Sequence, residues 1–245
     1  FVSLHKAFRT IPVFIAGIKG SLGNMGVYDI RNYNDINSMN TTATYQPDIS
    51  YSFGLSFETP VIPELSLIYE FYYNSYYYSY QSQVLDYSNI SFEENFTGID
   101  VPLLLQWNIL KGDFSPYINI GSSFNYLISS NVQYTRNDED TKSEGYRDPV
   151  NLDLKLTDSR NTYNYSLSAG IGFRWKNILA NGYLTFDIRY SSYFNNLVDA
   201  DERAENPEMV YSALTTDNVF KITNTQIFIG YKLPVYIAKY KGIKH

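Results

Sequence analysis

The sequence predicts an all-β protein: a transmembrane antiparallel up-and-down β-barrel of eight strands whose lumen is filled by side chains. Three observations lead there. Eight segments alternate apolar and polar residues with a period of two, the mark of strands with two unlike faces. The connections between them alternate between short and long. Aromatic residues gather at both ends of the apolar face, as two membrane interfaces demand.

The segments run 11–25, 47–59, 65–80, 95–110, 114–130, 161–176, 182–197 and 217–233. In the second, Ile49, Tyr51, Phe53, Leu55 and Phe57 share one face, while Ser50, Ser52, Gly54, Ser56 and Glu58 share the other. The sixth sets Tyr163, Tyr165, Leu167, Ala169, Ile171, Phe173 and Trp175 against Asn164, Ser166, Ser168, Gly170, Gly172 and Arg174. The fourth opposes Ile99, Val101, Leu103, Leu105 and Trp107 to Asp100, Pro102, Gln106 and Asn108, with Leu104 breaking the pattern.

Turns 60–64, 111–113 and 177–181 are short, whereas loops 26–46, 81–94, 131–160 and 198–216 are long and polar. That asymmetry belongs to a bacterial outer-membrane barrel, and a soluble sandwich would be spaced more evenly. It sets a barrel over 11–233 between an N-terminal segment, 1–10, and a basic tail, 234–245. Both ends are expected in the periplasm and the long loops outside the cell. Within the longest loop, 149–156 alternates again and is expected to prolong a barrel strand or to offer an edge to a partner strand.

Following the strands up and down places Phe57, Trp107, Trp175 and Tyr231 at the short-turn end of the apolar face. Tyr51, Tyr73, Tyr126, Tyr163 and Tyr190 fall near the long-loop end. A soluble lipocalin-like barrel would turn this face inward and carry charge outside. Here the central part of the apolar face carries no charge.

Composition excludes other classes. There are no cysteines, so a disulfide framework, a thiolate nucleophile and a sulfur-bound metal are all excluded. The longest apolar runs, such as 101–105, fall far short of the roughly 20 residues a spanning helix needs. The chain opens at Phe1 without an initiator Met or a leader, as expected of a processed or partial start.

By parity, the polar face carries Lys19, Glu58, Glu70, Asp100, Arg174, Asp187, Arg189 and Lys232, four acids and four bases. Facing lipid, each would cost on the order of 2–4 kcal/mol. Enclosed, they can pair. With Tyr72, Tyr117 and Tyr183 also inward, the expectation is a lumen ion network in a plugged barrel, since eight strands enclose only enough room for side chains. The net charge of −6 then resides in the acidic loops, against a basic tail with Lys239, Lys241 and Lys244. Nucleic acid is not an expected partner.

Catalytic chemistry is mostly missing. The two histidines, His5 and His245, lie at the chain ends, outside every predicted strand, so a Ser–His or His–Asp arrangement on the rim cannot be built. Glu70 and Asp100, on adjacent strands, leave an acid pair conceivable, but the bases around them favour a structural network. Asp138-Glu139-Asp140 and Asp199-Ala200-Asp201-Glu202 are oxygen-rich. The latter opens like a calcium loop, yet has Glu205 and Asn206 where a Gly is needed and Val210 at the closing position. No metal, cofactor or catalytic residue is expected.

The run Ile99-Asp100-Val101-Pro102-Leu103-Leu104-Leu105-Gln106-Trp107, followed by Pro116-Tyr117-Ile118-Asn119-Ile120-Gly121, resembles the outer-membrane β-barrel family that includes PorT. Ser168-Ala169-Gly170-Ile171-Gly172-Phe173 and Ile227-Phe228-Ile229-Gly230-Tyr231-Lys232 fit such barrels as well. The resemblance implies a Bacteroidetes-type envelope and a link to protein secretion. The functional expectation is a non-enzymatic accessory or structural subunit of an outer-membrane assembly. Its expected partners are outer-membrane lipid, lipopolysaccharide, and other outer-membrane or periplasmic proteins. The alternative is a stand-alone surface barrel whose acidic loops bind ligands or other surfaces, as OmpX-like barrels do. A hydrolase with an acid dyad and a narrow channel are the remaining rivals.

Overall fold

A sheet escapes its exposed edges by closing on itself, and this chain does so with antiparallel neighbours throughout. The computed structural model describes residues 14–31, 42–84, 88–110, 112–138, 149–176, 178, 181–202 and 218–235. Ten strands are present among them: β1 Phe14–Arg31, β2 Thr42–Pro47, β3 Ile49–Pro60, β4 Leu65–Val84, β5 Ser88–Asn108, β6 Phe114–Asp138, β7 Val150–Lys155, β8 Tyr163–Lys176, β9 Tyr183–Tyr193 and β10 Val219–Val235. Eight form a ring in the order β1-β3-β4-β5-β6-β8-β9-β10, closed where β10 pairs with β1 from Phe14↔Val235 upward.

The other two strands are continuations. β2 extends β3 along β4, with Asp48 interrupting the run, and β7 runs along the upper part of β6 whose lower part holds β8. Segment 149–156 therefore prolongs the wall.

The strands run far past the predicted boundaries. A membrane-spanning strand needs about 9–11 residues, yet β4, β5 and β6 have 20, 21 and 25. Much of what was expected as loop is wall: 26–31, 42–46, 81–84, 88–94 and 131–138 are strand. Elsewhere the correction runs the other way: 109–110, 161–162 and 194–197, expected as strand, are irregular. Expected segment 1–10, residues 11–13, most of the tail and Glu139-Asp140 lie outside the described residues.

The reason is that the apolar side changes from outward to inward along the long strands. In the lower part of β4, Tyr69, Phe71 and Tyr73 point outward and are exposed; three residues later, Tyr76, Tyr78 and Tyr80 point inward and are buried. β5 shows the same switch between exposed Ile99, Leu103 and Leu105 and buried Phe96 and Phe92. On β6 the outward Ile120, Phe124, Tyr126 and Ile128 and the inward Val132 and Tyr134 are all even-numbered. There a register shift opposite Thr97/Gly98 inserts the residue that reverses the faces. The lower barrel is apolar outside and polar inside, the arrangement lipid requires. The upper barrel is apolar inside and polar outside, the arrangement water requires.

Candidate functional site

The lumen is built in layers. Nearest the short turns, the Arg174 guanidinium holds both oxygens of Glu58 at 2.7 and 2.6 Å, with Lys232 at 3.5 Å and the Tyr183 ring 5.3 Å from the guanidinium carbon. Above it, Lys19 donates to Glu70 at 3.0 Å and to Asp187 at 2.7 Å, and Arg189 reaches the same two carboxylates at 2.6 and 3.3 Å. Ser56 and Tyr117 add hydroxyl donors to Glu70 and Asp187. Both cations lie over the Phe228 ring, at 4.9 and 4.5 Å from its centroid.

Inward glycines make room for these long side chains. A Cβ on Gly230 would collide with Cγ of Lys19, and one on Gly172 would lie 2.7 Å from Cζ of Tyr117.

Of the eight predicted lumen charges, seven enter these two clusters. Asp100 does not: it accepts from the Tyr76 hydroxyl at 2.8 Å, one layer higher, with no ion pair among the described residues. Glu70 and Asp100 thus sit in different surroundings, one among cations and one among hydroxyls and amides, and do not form a dyad. Small polar residues fill Asp100's layer. Gln226 donates to Ser21 and Ser52, and Ser168 meets Ser191 at 2.7 Å. Two cavities open here, of about 10 and 20 Å³, each with room for little more than one water.

The nine residues placed in the aromatic girdles all face outward. Phe57 and Tyr231 are half-buried against neighbours; the other seven are exposed.

The layer that sequence reasoning missed lies above the upper girdle. Met25, Tyr76, Tyr78, Phe92, Phe96, Tyr134, Leu154, Phe220 and Ile222 pack into one apolar core inside the upper barrel. A strap packs against it. Past Tyr193 the chain continues irregularly between the chain ahead of β8 and the start of β10, burying Leu197 and Val198, and is stitched down by Asn161 N–H to Leu197 O (2.8 Å), Leu197 N–H to Phe220 O (2.8 Å) and Asp199 N–H to Ser159 O (3.1 Å).

Arg160, which bridges to Val198, is held from the wall by Glu94. Its Nε and Nη2 donate to the two carboxylate oxygens at 2.7 and 2.8 Å, and Tyr78 and Ser130 donate to the same carboxylate. Burial raises the Glu94 carboxyl, but the Arg160 guanidinium outweighs it, so the acid is held below its ordinary 4.5. Both residues were assigned to loops by sequence. The parity of Phe92, Glu94 and Phe96, continuous with the inward face of β5, is the signal that would have found Glu94.

The arrangement seals a lumen, and its chemistry is that of pairing. Three carboxylates are neutralised by four cations, the fourth carboxylate is hydrogen-bonded, and an apolar plug stands above.

No curated protein matches the chain. Among solved structures, it is similar to the outer membrane protein OprG from Pseudomonas aeruginosa (16% identity, 91% of this chain and 96% of that one covered, TM-score 0.45). It is also similar to Neisserial surface protein A (9%, 90% and 96%, 0.42) and to Ail, the attachment invasion locus protein of Yersinia pestis (12%, 89% and 98%, 0.36). The family model described as "Outer membrane protein beta-barrel domain" matches residues 17–199. The closed ring, its lipid-type outer face and that match agree, and the chain belongs to the outer membrane protein beta-barrel domain family.

Proposed function

We propose that this outer-membrane barrel is a sealed, non-enzymatic protein that works through its outer surfaces, as an accessory or structural subunit of an outer-membrane assembly of the secretion or export type. The termini face the periplasm and the long loops face outward. The observation that carries the reading is the filled lumen: an ion network, a polar layer with room for single waters and an apolar plug stand in series on one axis. Nothing that needs a continuous path is served by such an interior, so contact must be made by wall, loops or tail. The PorT-like motifs at 99–107 and 116–121 point the same way. Partners in this reading are outer-membrane lipid, lipopolysaccharide and neighbouring outer-membrane or periplasmic proteins.

Extraction of the native protein in mild detergent, with co-purifying proteins identified by mass spectrometry, tests it. A subunit retains stoichiometric partners. Recovery of the barrel alone would instead favour a stand-alone surface protein, and a steady wild-type current in a planar bilayer would refute the sealed lumen.

A further inference from the structure

The outer wall of a barrel is convex, so a hollow on it requires an explanation. One of about 480 Å³ lies on the outside of the upper barrel, across β4, β5, β6 and β7. Its floor is backbone: Glu94, Val132 and Leu154 line it, but their side chains are buried in the apolar core and point the other way. Its sides are two rows of outward side chains that follow the strand pairing. The lower row is Tyr77, Asn95, Asn131 and Lys155. The upper row sets Glu93, Gln133 and Asp153 in register.

This chemistry suits a sugar. Amides and carboxylates at strand spacing offer donors and acceptors side by side, which ring hydroxyls match because each both donates and accepts. Tyr77 supplies an aromatic face for the apolar side of a sugar ring. The single base stands in the lower row and the acids stand in the upper, so an anionic group is favoured only at the end nearer the membrane.

Position selects the source. Tyr77 is four residues above girdle residue Tyr73 on β4, roughly 13 Å along the strand and roughly 10 Å farther from the bilayer once strand tilt is allowed for. A molecule whose tail is anchored in the outer leaflet and whose phosphate and sugars project to that height is held there at high effective concentration. We infer that the β4–β7 groove binds the phosphorylated saccharide headgroup of an outer-leaflet glycolipid, with phosphate at Lys155 and sugar on Asn95, Asn131 and Gln133. The inference rests on the orientation proposed above.

The test uses rough lipopolysaccharide, intact or dephosphorylated, titrated into phospholipid nanodiscs that hold the whole barrel, with binding read by native mass spectrometry. Saturation at one molecule per barrel is expected. Asn131→Ala with Gln133→Ala, at exposed positions, should weaken it at least tenfold. Lys155→Gln should weaken the phosphorylated form about tenfold and leave the dephosphorylated form unchanged. The deacylated saccharide, free in solution, should bind far more weakly than the anchored one. Wild-type affinity in the double variant, with normal heat-dependent gel migration, overturns the site. Equal binding of free and anchored saccharide overturns the glycolipid source. Asn95→Cys, in a chain without native cysteine, separates this from a failure of orientation: it should react with an impermeant maleimide on intact cells. Protection until the outer membrane is opened would instead invert the barrel.

Discussion

Replacing Arg189 by Met tests the ion network at its most connected point. The guanidinium is 4% exposed and bonds Glu70 at 2.6 Å and Asp187 at 3.3 Å. Without it, two carboxylates that are fully buried share only Lys19, at 3.0 and 2.7 Å. Removing one side of a buried pair typically costs about 3–5 kcal/mol, against about 0–1 kcal/mol for an exposed one. Methionine keeps the packing against Phe228, so the loss is mainly electrostatic. Taking about 4 kcal/mol and a guanidinium slope of about 4 kcal/mol/M, the unfolding midpoint in detergent micelles should fall by about 1 M. Adding Glu70→Gln to the same chain should recover part of the loss, because the uncompensated charge is then gone. Planar-bilayer conductance should remain at the baseline in both variants, since the plug above is untouched. A loss under about 1 kcal/mol, or no recovery in the double variant, would refute a tightly paired network.

Other outcomes follow from the same geometry. The unboiled protein should migrate differently from the boiled one on SDS gels, because a closed hydrogen-bonded wall has no edge at which to open; identical migration would count against closure. Arg160→Met should leave Glu94 buried without its cation and cost about 3–5 kcal/mol in the upper barrel, read as earlier loss of near-ultraviolet circular dichroism while gel migration persists. Glu94, held below 4.5 when folded, contributes stability that is complete above about pH 4.5 and drains as the pH falls through its lowered value; an upper barrel that loosens only at higher pH would contradict the pair. Gly230→Val should displace Lys19 and lower stability by more than 2 kcal/mol, whereas Gly112→Ala, whose Cβ meets only the Phe114 carbonyl oxygen at 3.7 Å, should change it by less than 0.5 kcal/mol.

The lower barrel was legible in the sequence because lipid imposes one rule on eight strands: apolar outward, polar inward. Parity alone brought Lys19, Glu70, Asp187 and Arg189 to one face, although the chain separates the first from the last by 170 positions. What parity could not give was who pairs with whom. Asp100 shares the inward face with the others, but it pairs across the sheet with Tyr72, and its carboxylate accepts from the Tyr76 hydroxyl instead of a cation. The upper barrel was not legible by that rule because crossing from lipid to water exchanges the apolar and polar faces. Tyr76, Tyr78 and Tyr80 then read as the end of a pattern, when they continue the strand in a different solvent. On β6 the extra residue at the register shift hides even that exchange.

The upward extension has a mechanical consequence. From the girdle residue Tyr126 to the end of β6 at Asp138 the strand climbs twelve residues, roughly 40 Å along its axis and roughly 30 Å along the barrel axis. The wall rises as a pedestal, braced within by aromatic rings. On the proposed orientation, the upper rim of the wall stands well clear of the bilayer, while the membrane-level wall stays available for sideways contact. An object arriving from outside and a neighbour diffusing in the membrane therefore meet different zones of one molecule, and engaging one need not displace the other.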